Sequence, residues 1–220
     1  MYKLSFDSGN DISPIIQLSQ GPFVVAVHPS VPAKNLKELM DLARAQPDKL
    51  SYASSGQGSI THLATELFLD TAKIKAVHIP YKGTGPALND TIGGNVQLIF
   101  GSVATTLQHI KSGRLRGLAV TTGKRISAMP ELPTVAEAGV PGYDVILWHG
   151  LVAPKGVPRA IVERLNSEAG QILKSKAMEE LLAADGVTPA GGTPEQFQAL
   201  IKSDIARWRE VVQRAGVKIE

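Results

Sequence analysis

Residues 52–62 read Tyr52-Ala53-Ser54-Ser55-Gly56-Gln57-Gly58-Ser59-Ile60-Thr61-His62. A short apolar strand runs into a Gly/Ser loop, and a helical pattern starts directly behind it. At such a junction the first backbone N–H groups of the helix have no partner one turn back, and the helix dipole adds partial positive charge. Hydroxyls of Ser54, Ser55, Ser59 and Thr61 lie within one or two turns of that end. Together they describe a seat for a carboxylate or phosphate. The same residues also admit a plainer reading, a tight turn with Ser59 as an ordinary N-cap.

Working outward, short apolar runs alternate with amphipathic segments. Residues 23–27 (FVVAV) predict a buried strand, stopped by His28-Pro29. Residues 34–44 predict a helix with Leu36, Leu39, Met40 and Ala43 on one face, ended by Pro47-Asp48. Strands follow at 50–53, 77–79, 96–100 and 115–121. Helices fall between them at 60–69, 83–92 and 103–112. This alternation predicts an α/β domain with a mainly parallel sheet. Past Met129-Pro130 the rhythm loosens, with a short helix at 134–138 and an apolar run at 145–152. A helix behind Pro158 carries the stripe Ile161, Leu165, Ala169, Ile172 and Leu173, and a second helix covers 176–183. Thr193-Pro194-Glu195-Gln196 spells a capping box opening a helix to Gly216, with Phe197, Ile201, Ile205, Trp208 and Val211 along one face.

A second loop, Pro80-Tyr81-Lys82-Gly83-Thr84-Gly85-Pro86, again joins a strand to a helix, with Thr84 placed to cap it. Tyr81 brings a hydroxyl on an apolar body, and the glycines allow close backbone approach. Gly101-Ser102 adds a third segment. In open α/β sheets ligands sit beyond the carboxyl ends of the strands, so the three loops reinforce one another.

Several classes are excluded. The 220 residues hold 23 Lys+Arg and 20 Asp+Glu, and 8 of the former against 5 of the latter fall in residues 61–142. That small excess could bias a cleft toward anions or merely aid solubility. Basic runs no longer than pairs and 5% aromatics give no nucleic-acid footprint. The absence of cysteine rules out disulfides and thiolate chemistry. His28, His62, His78, His109 and His149 lack metal-ligand spacing, so no metal or cofactor is expected. Gly56-Gln57-Gly58 lacks the third glycine of a dinucleotide fingerprint, no P-loop lysine follows, and no Gly-x-Ser-x-Gly elbow exists. No acid partner is assignable to His62. An enzyme would have only His62 with Ser54 or Ser59 to work with, and the chain is read as a non-enzyme. No signal-peptide pattern opens it, which leaves a cytoplasmic location if the start is genuine.

The same loops carry a resemblance. Phe23-Val24-Val25-Ala26-Val27-His28-Pro29, the Tyr52–Ser59 stretch, His62-Leu63, Pro80-Tyr81-Lys82-Gly83 and Pro86-Ala87-Leu88 occur in order. Leu118-Ala119-Val120, Leu132-Pro133-Thr134, Glu137-Ala138-Gly139 and Trp148-His149-Gly150-Leu151-Val152-Ala153-Pro154 follow. Over essentially the whole length the chain resembles the Bug family, extracytoplasmic solute-binding proteins of tripartite tricarboxylate transporters. The resemblance implies a periplasmic-binding-protein-like (type 2) Venus-flytrap fold of two α/β domains. One, residues 25–141, is complete and carries the Gly/Ser loop. The other combines residues 1–24 and 142–220. It further implies a small organic acid as ligand, transporter subunits as partners and a periplasmic location. The ligand residues it implies are Ser54, Ser55, Gly56, Gly58, Ser59 and His62, with Tyr81 and Gly83 nearby. The family's Pro-x-x-x-Gly-Gly-x-x-Asp loop has no match here, and Met1-Tyr2-Lys3-Leu4 resembles the middle of the usual first domain. The first domain is therefore read as incomplete, the apolar faces of residues 161–173 and 197–215 as under-covered, and a non-binding remnant stands as the alternative.

Overall fold

A computed structural model describes residues 5–47 and 49–217. Met1-Tyr2-Lys3-Leu4, matched above to the middle of a first domain, and Asp48 of the Pro47-Asp48 helix stop lie outside the described residues. The elements in chain order are β1 (Ile12–Val27), α1 (Leu36–Ala45), β2 (Ser51–Ser54), α2 (Ile60–Ala72), β3 (Val77–Pro80), α3 (Thr84–Ile92) and β4 (Leu98–Ser102). There follow α4 (Val103–Lys111), β5 (Arg116–Val120), β6 (Ile146–Pro154), α5 (Arg159–Leu173), α6 (Lys176–Ala184), β7 (Thr188–Gly191) and α7 (Pro194–Ala215).

The helix ends form where side chains meet backbone donors. Asn35 accepts from Glu38 N at 2.9 Å before α1. The capping box of Thr193 and Gln196 is formed in both directions before α7. Thr84 does not cap α3: the N-cap is Gly83, at φ +110, and Thr84 is the first helical residue. Residues 134–138 make a single hydrogen-bonded turn rather than a helix, because Pro133 and Gly139 leave no room for a second turn.

β1 departs most from expectation. Only its last five residues were legible as a strand, yet it runs for 16. Pro14, Gly21 and Pro22 break the apolar pattern, and a proline removes a ladder donor. The ladder absorbs them with register shifts between Pro14 and Ile16 and between Gln17 and Ser19. Along Ile12 to Pro22, β1 pairs antiparallel with β6, and from Gln17 to Gln20 with β7. Along Phe23 to Val27 it pairs antiparallel with β4, and it pairs likewise with β5 from Val24. The order of the main path is β3-β2-β4-β1-β5, with β2 parallel to β3 and β4. The expected mainly parallel sheet is therefore mixed. β1 arrives from the second ladder instead of through a crossover helix, so it enters pointing the opposite way.

Val25 and Val27 face a core with Leu36, Leu39, Leu63 and Phe68 of α1 and α2. On the opposite face Ala26 packs with Ala53, Ala87 and Ile99, and Val24 with Val103 and Val120. Helices thus cover both faces, which is why the FVVAV run is continuously apolar. α7 is covered, with Phe197, Ile201, Trp208 and Val211 buried. The predicted stripe of α5 is covered only in part: Leu173 is buried and Ala169 packs beside it, whereas Ile161, Leu165 and Ile172 are 40–55% exposed and Val162, off the stripe, is buried. The under-covering expected of both helices holds for α5 alone.

The carboxyl ends of β2, β3, β4 and β5 point to one sheet edge, where β1 enters at Phe23. There Thr121 is fully buried; its Oγ1 accepts from Phe23 N at 2.8 Å and donates to Val145 O at 2.8 Å. One hydroxyl thereby ties the incoming strand to the segment leading into β6. Thr121→Val keeps the shape and strands both backbone groups, and is expected to cost about 2–4 kcal/mol. Denaturant unfolding checks this, with Thr121→Ser retaining most of the stability.

Candidate functional site

The Gly/Ser loop sits at that same edge. α2 begins at N-cap Ser59, whose Oγ accepts from His62 N at 3.3 Å, and its first turn contains no acidic residue. Gly56 (φ +142) and Gly58 (φ +70) adopt conformations a side chain would strain, which lets the loop fold back over the end of β2.

The expected row of bare amides is largely absent. Ser55 N donates to Thr61 Oγ1 (2.9 Å), Gly56 N to Ser54 Oγ (3.2 Å), Gly58 N to His62 Nδ1 (3.0 Å) and Ser59 N to Gly56 O (3.1 Å). Among the described residues, the N–H groups of Ile60 and Thr61 in the first helical turn are left without a protein acceptor. The loop closes on itself, and the outward donors are those two amides together with hydroxyls.

Proton counting shows which hydroxyls. Thr61 Oγ1 lies 3.0 Å from both Ser55 Oγ and Ser59 Oγ. It already accepts Ser55 N–H, so it takes a proton from one serine and gives its own to the other. Three hydroxyl protons serve two hydroxyl–hydroxyl bonds, and one serine proton remains for an outside acceptor. Ser55, Ser59 and Ile60 are half-buried and Thr61 is buried, so the donors form a ledge.

The second loop braces the first. Tyr81 N donates to Ser54 O (3.1 Å) and Gly83 N to Ser55 O (3.0 Å). The Tyr81 hydroxyl donates to Asp90 Oδ2 at 2.6 Å, and burial with that carboxylate raises its pKa to about 12. Its proton is thus engaged within the protein. Ser102, in the third segment, is the N-cap of α4 and its hydroxyl meets Thr105 Oγ1 at 3.0 Å.

Beneath the loop lies a cluster that sequence spacing hardly disclosed. The imidazoles of His62 and His78 stack with centroids 3.8 Å apart, and the ring of Tyr52 stacks on His78 at 4.9 Å. His78 Nε2 is 2.6 Å from Ser54 Oγ. Tyr52 donates its hydroxyl to Glu66, whose Oε1 stands 3.9 Å from His62 Nε2. Burial holds both imidazoles at a pKa of about 4, aided for His78 by the neighbouring His62. Burial raises the Glu66 carboxyl, while the Tyr52 hydrogen bond opposes that shift. The i,i+4 spacing of His62 and Glu66 was the one available signal. Tyr52 and His78 come from separate strands.

A nucleophile is not assembled. Ser54 is buried, and its oxygen is shared among Gly56 N, Gly56 O and His78. Among the described residues no group of side chains could hold a metal ion. A concavity of about 780 Å³ lies elsewhere, between α5 and β7, beside Ile16, Gly170 and Pro189. There Asn166 already donates to Ile15 O and Gly192 O, which leaves its amide group engaged. No helix among the described residues is long and apolar enough to cross a membrane.

Residues 1–217 match the family described as tripartite tricarboxylate transporter family receptor. The UPF0065 protein in the tcbD-tcbE intergenic region of Pseudomonas sp. (strain P51) is 37% identical over 96% of this chain and 63% of its own length. Protein BugT of Bordetella pertussis is 36% identical over 96% of this chain and 64% of its own. The chain thus spans less than two thirds of the length of these curated relatives. Among solved structures, R. palustris Rpa4515 with adipate superposes at a TM-score of 0.92, with 36% identity, over 99% of this chain and 73% of that one. MatC (Rpa3494) from Rhodopseudomonas palustris with bound malate gives a TM-score of 0.87 and 27% identity over 96% and 73%. The chain belongs to the tripartite tricarboxylate transporter receptor family and has its periplasmic-binding-protein-like α/β fold.

Proposed function

We propose that the protein binds a small organic di- or tricarboxylate at the Ser54–Ser59 loop and delivers it to the membrane subunits of a tripartite tricarboxylate-type transporter, outside the cytoplasm. The observation that carries this reading is the fit of nearly the whole chain to a relative solved with adipate. The chemistry agrees with it. A helix N-terminus without acidic residues, two amides in its first turn and one spare serine proton suit a carboxylate.

In this reading Ser55, Ser59 and the first turn of α2 meet the carboxylate. Ser54, Gly56, Gly58, His62, Tyr81 and Gly83 shape and brace the loop. The protein works as two α/β domains in Venus-flytrap fashion, residues 25–141 forming one, and 1–24 with 142–220 contributing to the second. Supporting this is the way β1 and β6 run together away from the edge where the loops stand. Binding without chemistry is favoured over acyl transfer because Ser54 is buried and shared.

Calorimetric titration with adipate and malate is expected to give saturable binding, and the absence of heat with both and with a wider tricarboxylate panel would overturn the proposal. Ser59→Glu is expected to abolish binding, since its own carboxylate would occupy the seat. Thr61→Val removes the hub of the hydroxyl chain and is expected to weaken binding roughly tenfold or more. Thr61→Ser, which restores the hydroxyl, should recover most of that affinity.

A further inference from the structure

Among the described residues, the stacked imidazoles, His62 buried and His78 half-buried, form a titratable cluster that ligand contact leaves unexplained. His62 is 3% exposed. Its Nδ1 accepts the Gly58 amide proton at 3.0 Å, and Gly58 holds a left-handed φ of +70 that this bond pins. An Nδ1 that accepts carries no proton, so the neutral ring is the tautomer protonated at Nε2. Protonating Nδ1 would set two donors against each other and break the bond to Gly58.

The surroundings oppose that protonation. From β3, His78 covers one face of the ring at 3.8 Å. A positive charge on either ring disfavours one on the other. From β2, Tyr52 lies 6.3 Å away, ring to ring. From α2 itself, Glu66 Oε1 stands at 3.9 Å, beyond hydrogen-bond reach, and its carboxylate already accepts from Tyr52. One turn on, Asp70 lies 3.9 Å from Arg214 of α7. The nearby acid is therefore engaged elsewhere, and burial dominates.

We infer that His62 is a positioning residue of the ligand loop, whose unprotonated Nδ1 fixes Gly58 and with it the donor arrangement of residues 55–61, while His78 clamps the ring in place. The inference rests on the carboxylate-loop reading for its consequence in binding, but the His62–Gly58 link stands apart from any ligand. The pH consequence follows from the low native pKa of about 4 against an ordinary 6.5. The unfolded chain takes up the proton first. Stability is therefore full above about pH 6.5 and declines as pH falls toward about 4.

The test uses nuclear magnetic resonance on the ligand-free protein, followed by titration with adipate. In the wild type, the Gly58 amide is expected to be protected from exchange at pH 6, and its shift to follow the His62 ring with a midpoint near pH 4. His62→Asn offers an amide oxygen close to the Nδ1 position. It should keep the Gly58 protection while losing the pH dependence. His62→Phe keeps the bulk without an acceptor, and should lose the protection and bind adipate about tenfold more weakly at pH 7, the weight of one hydrogen bond. His62→Asn should recover most of that affinity, and comparing variants at one pH cancels the titration of adipate itself. Glu66→Gln should leave the Gly58 midpoint in place, which assigns it to His62.

A Gly58 shift that stays flat while the His62 ring titrates would overturn the inference, as would full Gly58 protection in His62→Phe. If that variant does not fold, a Gly58 titration persisting in His62→Asn overturns it equally. Failure of adipate to bind any version would sink the binding reading and leave the Gly58 measurements to decide this one.

Discussion

A strand has two hydrogen-bonding edges, and β1 uses its 16 residues to serve four partners. Its last five residues lie between β4 and β5, and those before them pair with β6 and β7. The direction of β1 is thereby forced antiparallel to β4 and β5. The carboxyl ends of β2 through β5 consequently gather at the edge where it enters. The loops that hold the candidate ligand residues stand there because β1 does. Thr121 secures the junction with one hydroxyl, and burial makes that hydroxyl hard to replace, since two backbone groups would otherwise be stranded without water.

At the site the governing fact is saturation. A Gly/Ser loop before a helix suggests several idle donors, yet most of its amides are engaged inside the protein. Among the described residues, what is left is small in number and fixed in direction: two helix-start amides and one serine proton on a hydroxyl chain centred on Thr61. A carboxylate seated there, as proposed, would be discriminated by geometry, because the donors cannot turn without breaking bonds within the loop. The histidines below contribute from the inside, through a ring nitrogen that accepts rather than through charge directed at a ligand.

The loop, the strand–helix alternation of residues 50–121, the capping box of α7 and the order of the family motifs were legible because each depends on neighbours in the chain. Ser59 as N-cap needed only local rules. The stripe of α5 misled, since periodicity reports where apolar residues lie and not what covers them. Ile161 and Ile172 fit a buried face and are exposed. Thr84 looked like a cap, and the N-cap proved to be Gly83, whose backbone reaches across to Ser55 O.

The sequence by itself determined that a donor-rich loop ends the second strand, that no cysteine, metal-spaced or nucleotide motif competes with it, and which family's motifs surround it. Only the tertiary structure decided that β1 spans both ladders, since pairing partners more than a hundred residues apart leave no local period. It alone brought Tyr52, His62, Glu66 and His78 into one cluster, from two strands and a helix. It alone decided which donors of the loop remain, because satisfying a backbone group is a question of distance in space, and spacing along the chain carries no measure of that.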